Sequence, residues 1–316
     1  MNWLKPALMA VLLRSVRSNS RHGVEMNVAV IGPGAVGILY AARMANAGIA
    51  VTLVDHNPSR IERLNASGLT VEAPSGTQTC NVTVSDTVPS DTGLVLICVK
   101  AHSTASLKLP KNVPVLTIQN GLNNVDTIVD MVGNLNVLAG VTSEAVTLLD
   151  EGRVRHVADG VTTFGSWTEC SFEPVEKVLT EVGFACAVTD APGQTIWEKA
   201  AVNAGINPLT ALLNVPNGQL LKVRESRELL RDLVVEAAKV ASIEGYRFTH
   251  SLVEAAEETC AQTAENISSM LQDIRSQRKT EIDAISGEIV RRADAAALPV
   301  PRTRVILQLI RGLESR

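Results

Sequence analysis

Short apolar runs alternate with helical patterns between residues 27 and 139. The runs are rich in Val, Ile and Leu, as buried strands are, and they cover residues 27–31, 49–54, 93–99, 113–118 and 136–139. Residues 35–48 and 58–66, which lie between them, have the composition and spacing of helices. Strands that alternate with helices are typical of βαβ units, so this pattern predicts a mainly parallel sheet.

The pattern changes twice further along the chain. Residues 144–190 contain short strand-like stretches separated by turns, which predicts an antiparallel addition to the same sheet. Beyond residue 192 helical periodicity is clear over residues 226–244, 268–297 and 302–314. The chain has 316 residues, about twice the length of a typical domain. We therefore predict an α/β domain over residues 26–191 and an all-helical C-terminal domain over residues 192–316.

The composition argues against nucleic acid as a partner and against a zinc-type metal site. The net charge is −4 and aromatic residues make up 3%, so neither a broad phosphate-binding surface nor a stacking platform for single-stranded nucleic acid is expected. Apolar residues make up 46% and charged residues 20%, as in soluble globular proteins. The five cysteines contain no C-x-x-C pair and the five histidines no H-x-x-x-H pair. This predicts reduced thiols and no metal site of the zinc type.

The first 25 residues differ from the rest of the chain. They carry four basic residues and one acid, and their apolar run from Pro6 to Leu13 is much shorter than the ~20 residues of a membrane span. Arg- and Ser-rich, acid-poor sequence resembles an organelle transit peptide. Met26 stands directly before the first predicted strand, which instead favours a disordered tail or an upstream start of translation. We expect no membrane association and a cytoplasmic location, with organelle targeting through residues 1–25 as the alternative.

A glycine-rich segment follows the first predicted strand. Gly32, Gly34 and Gly37 form a G-x-G-x-x-G pattern before a helix. The first glycine allows a tight turn, the second lets the backbone approach a pyrophosphate, and the third lets the helix pack against the strand. Asp55 ends the second strand at the spacing of an acid that binds the adenosine ribose. The segment predicts a Rossmann-type dinucleotide-binding domain, with the loop residues Gly32, Pro33, Gly34, Ala35, Val36 and Gly37.

The sequence leaves the choice of nicotinamide cofactor open. Asp55 would accept hydrogen bonds from the ribose 2′-hydroxyl of NAD and repel the 2′-phosphate of NADP. His56, Arg60 and Arg63 follow closely, and any of them could offset such a phosphate. The two arginines are equally well explained as a solvated helix face.

Polar residues also follow two of the other strands. Lys100 comes after GLVLICV, and Asn120 comes after VPVLTIQ. Ligands of open α/β sheets bind at the carboxyl ends of the strands, so both side chains are candidates for ligand contact. Each one alone is also an ordinary polar residue at a strand end.

The segment WEKAAVNAGINPLTALL carries Lys199, Asn203 and Asn207 at intervals of four residues, so a helix would present all three on one face. The residues between them are small or apolar, which is unusual for a solvated face. The alternatives are a snorkelling lysine and a local turn at Asn207, because a helix usually ends before a proline such as Pro208.

The roles of two polar residues near the end of the chain stay open. Ser269 lies at the start of the pattern over residues 268–297 and is explained equally well as a helix N-cap. Glu281 follows Thr280 and is explained equally well by a surface ion pair.

Taken together, the blocks that contain these residues resemble the ketopantoate reductase family (2-dehydropantoate 2-reductase). They occur in the family's order: GPGAVG, CVKAHST, IQNGLNN, WEKAAVNAGINPLTALLNVPNGQL and SSMLQDIRSQRKTEIDAISGEIV. The resemblance implies a Rossmann domain, a helical domain and a substrate bound between them. It also implies NADP(H) as cofactor, although Asp55 and His56 replace the basic residue that many members use for NADPH. NAD(H) therefore stays open.

The same resemblance implies a role for each candidate residue. Lys199 would be the catalytic proton donor. The implied substrate-binding residues are Asn120, Asn203, Asn207, Asn217 and Ser269. The implied cofactor-binding residues are the glycine loop, Asp55, Lys100, Asn120 and Glu281.

The implied activity is NAD(P)H-dependent reduction of 2-dehydropantoate to pantoate, a step of pantothenate and coenzyme A biosynthesis. Burial would lower the pKa of Lys199, and a nearby carboxylate such as Glu281 would raise it. The alternatives are a reductase of another branched 2-oxo acid and a non-catalytic nucleotide-sensing protein. We expect a small-molecule 2-oxo acid as partner and no nucleic acid, and we leave open a homodimer formed through the helical domain.

Overall fold

The computed structural model describes residues 26–315 and is built around a large, mainly parallel sheet. The strands of the described residues are β1 (Val28–Ile31), β2 (Val51–Val54), β3 (Leu69–Ala73), β4 (Gly76–Cys80), β5 (Thr83–Ser85), β6 (Leu94–Ile97), β7 (Val115–Thr117), β8 (Val137–Thr142), β9 (Ala145–Asp150), β10 (Arg153–Ala158), β11 (Val161–Ser166) and β12 (Ala185–Val188). Eight of them form the large sheet in the order β12-β11-β8-β7-β6-β1-β2-β5. Its neighbouring strands run parallel except β8 and β11.

Helices follow and separate these strands. They are α1 (Ala35–Asn46), α2 (Pro58–Ser67), α3 (Asn124–Val132), α4 (Glu173–Glu181), α5 (Pro192–Leu213), α6 (Gln219–Lys222), α7 (Arg224–Ile243), α8 (Leu252–Gln262), α9 (Ser269–Arg275), α10 (Glu288–Ala295) and α11 (Pro301–Glu314), with a 3₁₀ turn at Ala101–Ser106 and a π-helical turn at Asp283–Gly287. The stretch from residue 192 to residue 315 contains helices and loops without a strand. The predicted fold class is confirmed.

The large sheet is buried on both faces, as its continuous apolar strands require. In β1, Val28 and Val30 face one cluster of apolar side chains, and Ala29 and Ile31 face the other, because successive strand residues point to opposite sides. Helices α1, α2 and α4 cover the first face, and α3 and α5 cover the second. Helix α5 also packs on α7, so it joins the sheet to the helical part of the chain.

The prediction for residues 144–190 is wrong in part. β9 and β10 leave the large sheet and pair with β3 and β4 in a second sheet of order β4-β3-β10-β9. β11 does add antiparallel to β8, but β12 then adds in parallel. Helix α4 lies between β11 and β12 in the chain, whereas the prediction for residues 144–190 contained no helix.

Two helix predictions also need correction. Helix α5 continues through Pro208 to Leu213, so the proposed turn at Asn207 is wrong. The single helix over residues 268–297 is wrong as well, because the chain leaves the helix after Arg275 and Gln277 takes a positive φ of 51°. That break carries Glu281 toward the sheet. Among residues 26–315 no helix is both long and apolar enough to cross a bilayer. The expectations for residues 1–25 lie outside the described residues.

Candidate active site

The glycine loop between β1 and α1 has the geometry that its glycines predict. Gly32 has a φ of +109°, and a Cβ there would lie 2.7 Å from the Cγ1 and the backbone nitrogen of Val99. A Cβ on Gly37 would lie 2.0 Å from the Gly32 carbonyl oxygen. Only glycine meets both conditions, because any other residue would collide with backbone atoms. The loop therefore lies tightly against the end of β6.

The N-terminus of α1 is open to a ligand. Within the described structure no side chain caps this helix, and its first turn holds no acid. The nearest atom to a Cβ built on Gly34 is the Cys98 carbonyl oxygen at 4.0 Å, so the packing of the protein leaves that position clear. Free N–H groups at a helix N-terminus favour an anion. The loop Gly32, Pro33, Gly34, Ala35, Val36 and Gly37 therefore fits the pyrophosphate of a dinucleotide.

Asp55 is enclosed by an ion pair at the end of β2. Both carboxylate oxygens accept hydrogen bonds from Arg60, one of them at 2.6 Å, and the His56 backbone N–H donates to Oδ1 at 2.8 Å. The Asp55 side chain is 1% exposed, whereas Arg60 is 27% and His56 92% exposed. The cationic and polar groups thus face solvent, and the carboxylate lies behind them. Arg63 pairs instead with the exposed Glu151.

Lys100 joins the end of β6 to the helical part of the chain. Its Nζ lies 2.6 Å from Oδ2 of Asp273 on α9 and donates to the Lys279 carbonyl oxygen at 2.8 Å. Asp273 is buried, which raises the pKa of its carboxyl, while the ammonium of Lys100 opposes that rise. This ion pair fixes the loop that leads to Glu281.

Asn120 and Glu281 meet where β7 ends. The Asn120 amide nitrogen donates to Glu281 Oε2 at 2.9 Å, and the Ala101 backbone N–H lies 3.4 Å from Oε1. Burial raises the pKa of Glu281, and the hydrogen bond from Asn120 and the charge of Lys100 lower it. The side-chain amide oxygen Oδ1 of Asn120 is buried and has no hydrogen-bond partner among residues 26–315. It is an acceptor left for a ligand, and the surface ion pair considered for Glu281 is wrong.

Lys199 is held at the carboxyl end of β8. Its Nζ donates a hydrogen bond of 2.7 Å to the main-chain oxygen of Thr142, the last residue of that strand. Burial lowers the pKa of Lys199 to about 8, and the negative charge of Glu281 opposes the shift. Both effects expected from the sequence are therefore present. An ammonium with this pKa holds a proton at neutral pH and releases it readily.

Three of the sequence-predicted residues share one small cavity. Lys199, Asn203 and Asn120 line it together with Gln119, Gly121, Val141, Ile196 and Ala200. The cavity lies at the carboxyl ends of β7 and β8, next to Glu281. It brings an ammonium, an amide and an unpartnered amide oxygen to one place, beside the apolar side chains of Val141, Ile196 and Ala200.

Asn207, Asn217 and Ser269 are not part of that lining. Asn207 is buried two turns after Lys199 on α5. The side-chain nitrogen of Asn217 donates to the Thr263 hydroxyl at 2.9 Å, and its side-chain oxygen Oδ1 is buried without a partner in the described structure. Ser269 is exposed at the first position of α9, whose N-cap is Ser268. The capping role considered for Ser269 is therefore wrong.

Sequence reasoning missed three residues that build this site. Gln119 is buried and donates to the Val99 carbonyl oxygen at 2.7 Å, which ties the end of β7 to the end of β6. Asp273 holds Lys100, and Thr142 holds Lys199. Only Asp273 left a signal, as an acid three residues after Met270 on the buried face of α9.

A separate polar cluster lies on the α1 side of the sheet. Glu144, His156 and Asp159 are the one group in the described residues whose side-chain atoms approach closely enough to hold a metal ion. The guanidinium of Arg43 already lies 2.8 Å from Asp159 Oδ1 and 3.4 Å from His156 Nδ1. The guanidinium of Arg43 therefore already pairs with the carboxylate of Asp159 in this cluster.

Two family models match the chain. One described as Ketopantoate reductase PanE/ApbA matches residues 28–169, and one described as Ketopantoate reductase PanE/ApbA C terminal matches residues 193–314. A 2-dehydropantoate 2-reductase of Halobacterium salinarum is 35% identical over 297 residues, which cover 90% of this chain and 98% of the relative. The chain belongs to the ketopantoate reductase family. The corresponding protein of Pyrococcus abyssi is 32% identical and covers 92% of this chain and 98% of its own.

Solved structures agree with this assignment. A PanE/ApbA family ketopantoate reductase from Ralstonia eutropha is 30% identical, superposes with a TM-score of 0.84, and covers 92% of this chain and 99% of its own. A D-mandelate dehydrogenase in a ternary structure with NADH and anilino(oxo)acetate has the same TM-score of 0.84 and the same coverage at 24% identity. The second likeness shows the shared fold. Ketopantoate reductases are oxidoreductases, so the chain is an enzyme of that class.

Proposed function

We propose that this protein reduces 2-dehydropantoate to pantoate with NADPH and that Lys199 is the proton donor. The observation that carries the proposal is the cavity shared by Lys199, Asn203 and Asn120, which lies at the same sheet edge as the open N-terminus of α1. The relatives named 2-dehydropantoate 2-reductase support the choice of substrate. We also propose that residues 26–191 and 192–316 are two domains with the substrate between them.

Lys199 would supply the proton that the reduced carbonyl needs. A bound nicotinamide would supply the hydride, and negative charge would then develop on the carbonyl oxygen of the substrate. A protonated Lys199 stabilises that charge and then protonates the oxygen, which is worth about 10²–10⁴-fold in rate. Within residues 26–315, the Thr142 carbonyl accepts from one of the three N–H groups of Lys199 and no other hydrogen bond is made by this ammonium, so two N–H groups could donate to the substrate.

Neutral amides would bind the rest of the substrate. Asn203 and the side-chain oxygen Oδ1 of Asn120 lie beside Lys199. We propose that Asn207, Asn217 and Ser269 bind the carboxylate and hydroxyl groups of the substrate. Amides and hydroxyls can do this without forming a tight ion pair with the proton donor. Lys100 and Glu281 would contact the cofactor. Lys100 follows β6, whose end lies against the glycine loop, and a carboxylate oxygen of Glu281 lies 3.4 Å from the neighbouring Ala101 N–H.

The geometry around Asp55 favours NADPH over NADH. A 2′-hydroxyl needs an accessible carboxylate, and Asp55 is enclosed by Arg60 and the His56 backbone. Arg60 and the exposed His56 present hydrogen-bond donors to the position of a 2′-phosphate. NADH has no 2′-phosphate, so these hydrogen-bond donors would have no phosphate oxygen to bind.

Exposed apolar residues of the helical region support a homodimer. Val235 and Ile243 on α7 and Val305 and Leu309 on α11 are each at least 39% exposed. We propose that they contribute to contact between two copies. Analytical ultracentrifugation tests this: a concentration-independent monomer would contradict it.

Product analysis tests the activity. The full-length protein is incubated with NADPH and each of several 2-oxo acids, including 2-dehydropantoate and phenylglyoxylate, and the hydroxy acids are identified by mass spectrometry. We expect pantoate with the highest kcat/KM of the set. A higher kcat/KM for another branched 2-oxo acid would show that this acid, and not 2-dehydropantoate, is the preferred substrate. Cofactor binding without any product would indicate a nucleotide-sensing protein.

A further inference from the structure

The position of the Lys199 ammonium depends on one peptide carbonyl. Thr142 is the last residue of β8, and the chain then turns away to β9 in the second sheet. Its main-chain oxygen receives the 2.7 Å hydrogen bond from Lys199. The N–H of Ser143, which belongs to the same peptide unit, donates to the Val161 carbonyl oxygen at 3.0 Å, so β11 ties this peptide on its Ser143 side. A contact through the Thr142 side chain would tie it on the other side.

The Thr142 hydroxyl provides that contact in the core. It accepts a hydrogen bond of 3.1 Å from the Tyr40 phenol and lies 3.3 Å from the hydroxyl of Thr162, its direct partner on β11. Tyr40 and Thr162 also hydrogen-bond each other, and the Glu144 backbone N–H lies 3.3 Å from the Thr142 hydroxyl. These three side chains, Tyr40, Thr142 and Thr162, are called the hydroxyl triad below.

The hydroxyl triad is buried among apolar groups. Tyr40 and Thr162 are 0% exposed, and the Tyr40 ring stacks on Phe184 with 4.0 Å between ring centroids. Phenylalanine at position 40 and valine at position 162 would fill the same space without a hydroxyl. A buried hydroxyl costs free energy unless it is hydrogen-bonded. Burial raises the pKa of Tyr40 above its usual range, so the phenol remains a donor at every pH at which the protein is assayed.

We propose that Tyr40 and Thr162 are positioning residues for Lys199: their hydroxyls hold Thr142, and the Thr142 carbonyl aims the Lys199 ammonium at the substrate. The inference builds on the proposed role of Lys199 as proton donor. Neither residue touches the substrate cavity, which is lined from the other side of the sheet. Their influence would therefore reach the reaction only through Thr142.

Tyr40→Phe and Thr162→Val remove the two hydroxyls with little change of shape. We expect kcat to fall about tenfold, because a misplaced catalytic group costs rate steeply, while the KM values for NADPH and the oxo acid stay within about twofold, since no binding contact is lost. Thr162→Ser keeps a hydroxyl and should restore most of kcat. Tyr246→Phe is the matched control, because the Tyr246 hydroxyl makes no hydrogen bond within the described structure.

A second measurement works without turnover. In protein labelled with ¹³C at lysine Cε, the Lys199 signal is assigned by its absence in Lys199→Ala. We expect it to move in Tyr40→Phe and Thr162→Val and to stay in place in Thr162→Ser and Tyr246→Phe. An unmoved Lys199 signal, or KM values that worsen as much as kcat, would overturn the positioning role. If the parent protein reduces no 2-oxo acid, the proposed function fails while the spectrum still decides the role of the triad.

Discussion

The amide of Asn120 and the carboxylate of Glu281 are joined by a 2.9 Å hydrogen bond across 161 residues of sequence. It connects the carboxyl end of β7, where Asn120 lines the cavity, to the loop that follows α9. The bond uses the Asn120 nitrogen and leaves its oxygen without a partner in the described structure. One side chain therefore fixes the carboxylate that acts on Lys199 and offers an acceptor to a ligand.

Replacing the proton donor tests the chemical role of Lys199. We expect Lys199→Ala to lower kcat by about 10²–10⁴-fold, because no other ammonium lines the cavity in the described residues. Protein fluorescence should still report NADPH binding. Lys177→Ala on the exposed side of α4 is the matched control and should keep full activity. Near-normal kcat in Lys199→Ala would remove this residue from the mechanism.

The rate should depend on pH through Lys199. Its protonated form is the active one, and its pKa lies at about 8, so kcat is expected to be constant below this pH and to fall as the pH rises through it. Glu281 raises the pKa of Lys199, so Glu281→Gln should move the falling limb to lower pH. Kinetics across the range pH 6–10 measure both. A limb that stays in place or moves to higher pH would show that the two groups are not coupled.

Adding a methyl group at Gly34 or at Gly37 distinguishes the cofactor-binding role of one glycine from the packing role of the other. A Cβ at Gly34 meets no atom closer than 4.0 Å, so Gly34→Ala should melt at the parent temperature while the methyl group blocks the pyrophosphate. Loss of one hydrogen bond to a charged group costs about 1.5–3 kcal/mol, so the Kd for NADPH should rise about ten- to a hundredfold. Gly37→Ala collides with the Gly32 carbonyl at 2.0 Å and should lower the melting temperature as well. Unchanged NADPH affinity in folded Gly34→Ala would contradict this cofactor position.

Cofactor choice should follow Arg60. Removing Arg60 alone would leave a buried carboxylate unpaired, which is strongly destabilising, so the test is the double variant Asp55→Asn/Arg60→Gln, which keeps neutral hydrogen bonding. We expect its kcat/KM for NADPH to fall about ten- to a hundredfold, with little change for NADH. Arg63→Gln, which loses only an exposed pair with Glu151, is the control. An NADPH preference that survives in the double variant would place the 2′-phosphate elsewhere.

Local patterns were sufficient for the parallel strands but not for the second sheet. Runs such as LVLI in β6 are apolar throughout because both faces are buried. β4, by contrast, reads GTQTC and is mostly exposed, so no apolar alternation marks it. Its sheet depends on β3 pairing with β10, some eighty residues later, and such pairing is set by tertiary contacts.

The residues of the candidate site also divide into those that a local pattern predicts and those that depend on long-range contacts. Lys199 and Asn203 could be placed together because helical periodicity is local, and both do line the cavity. The contact of Glu281 with Asn120 could not be placed, because it requires the helical pattern to break after Arg275. That break is held by the ion pair of Lys100 with Asp273, two residues 173 positions apart, and no local pattern encodes it.

The most direct test of the proposed reaction is the initial rate of NADPH oxidation by the full-length protein with 2-dehydropantoate, with NADH in parallel and Lys199→Ala as the matched variant. We expect rapid, substrate-dependent loss of NADPH absorbance, a slower rate with NADH, and almost none in the variant. No oxidation of either cofactor, in protein that demonstrably binds NADPH, would contradict the proposed reaction while leaving the fold and the family assignment in place.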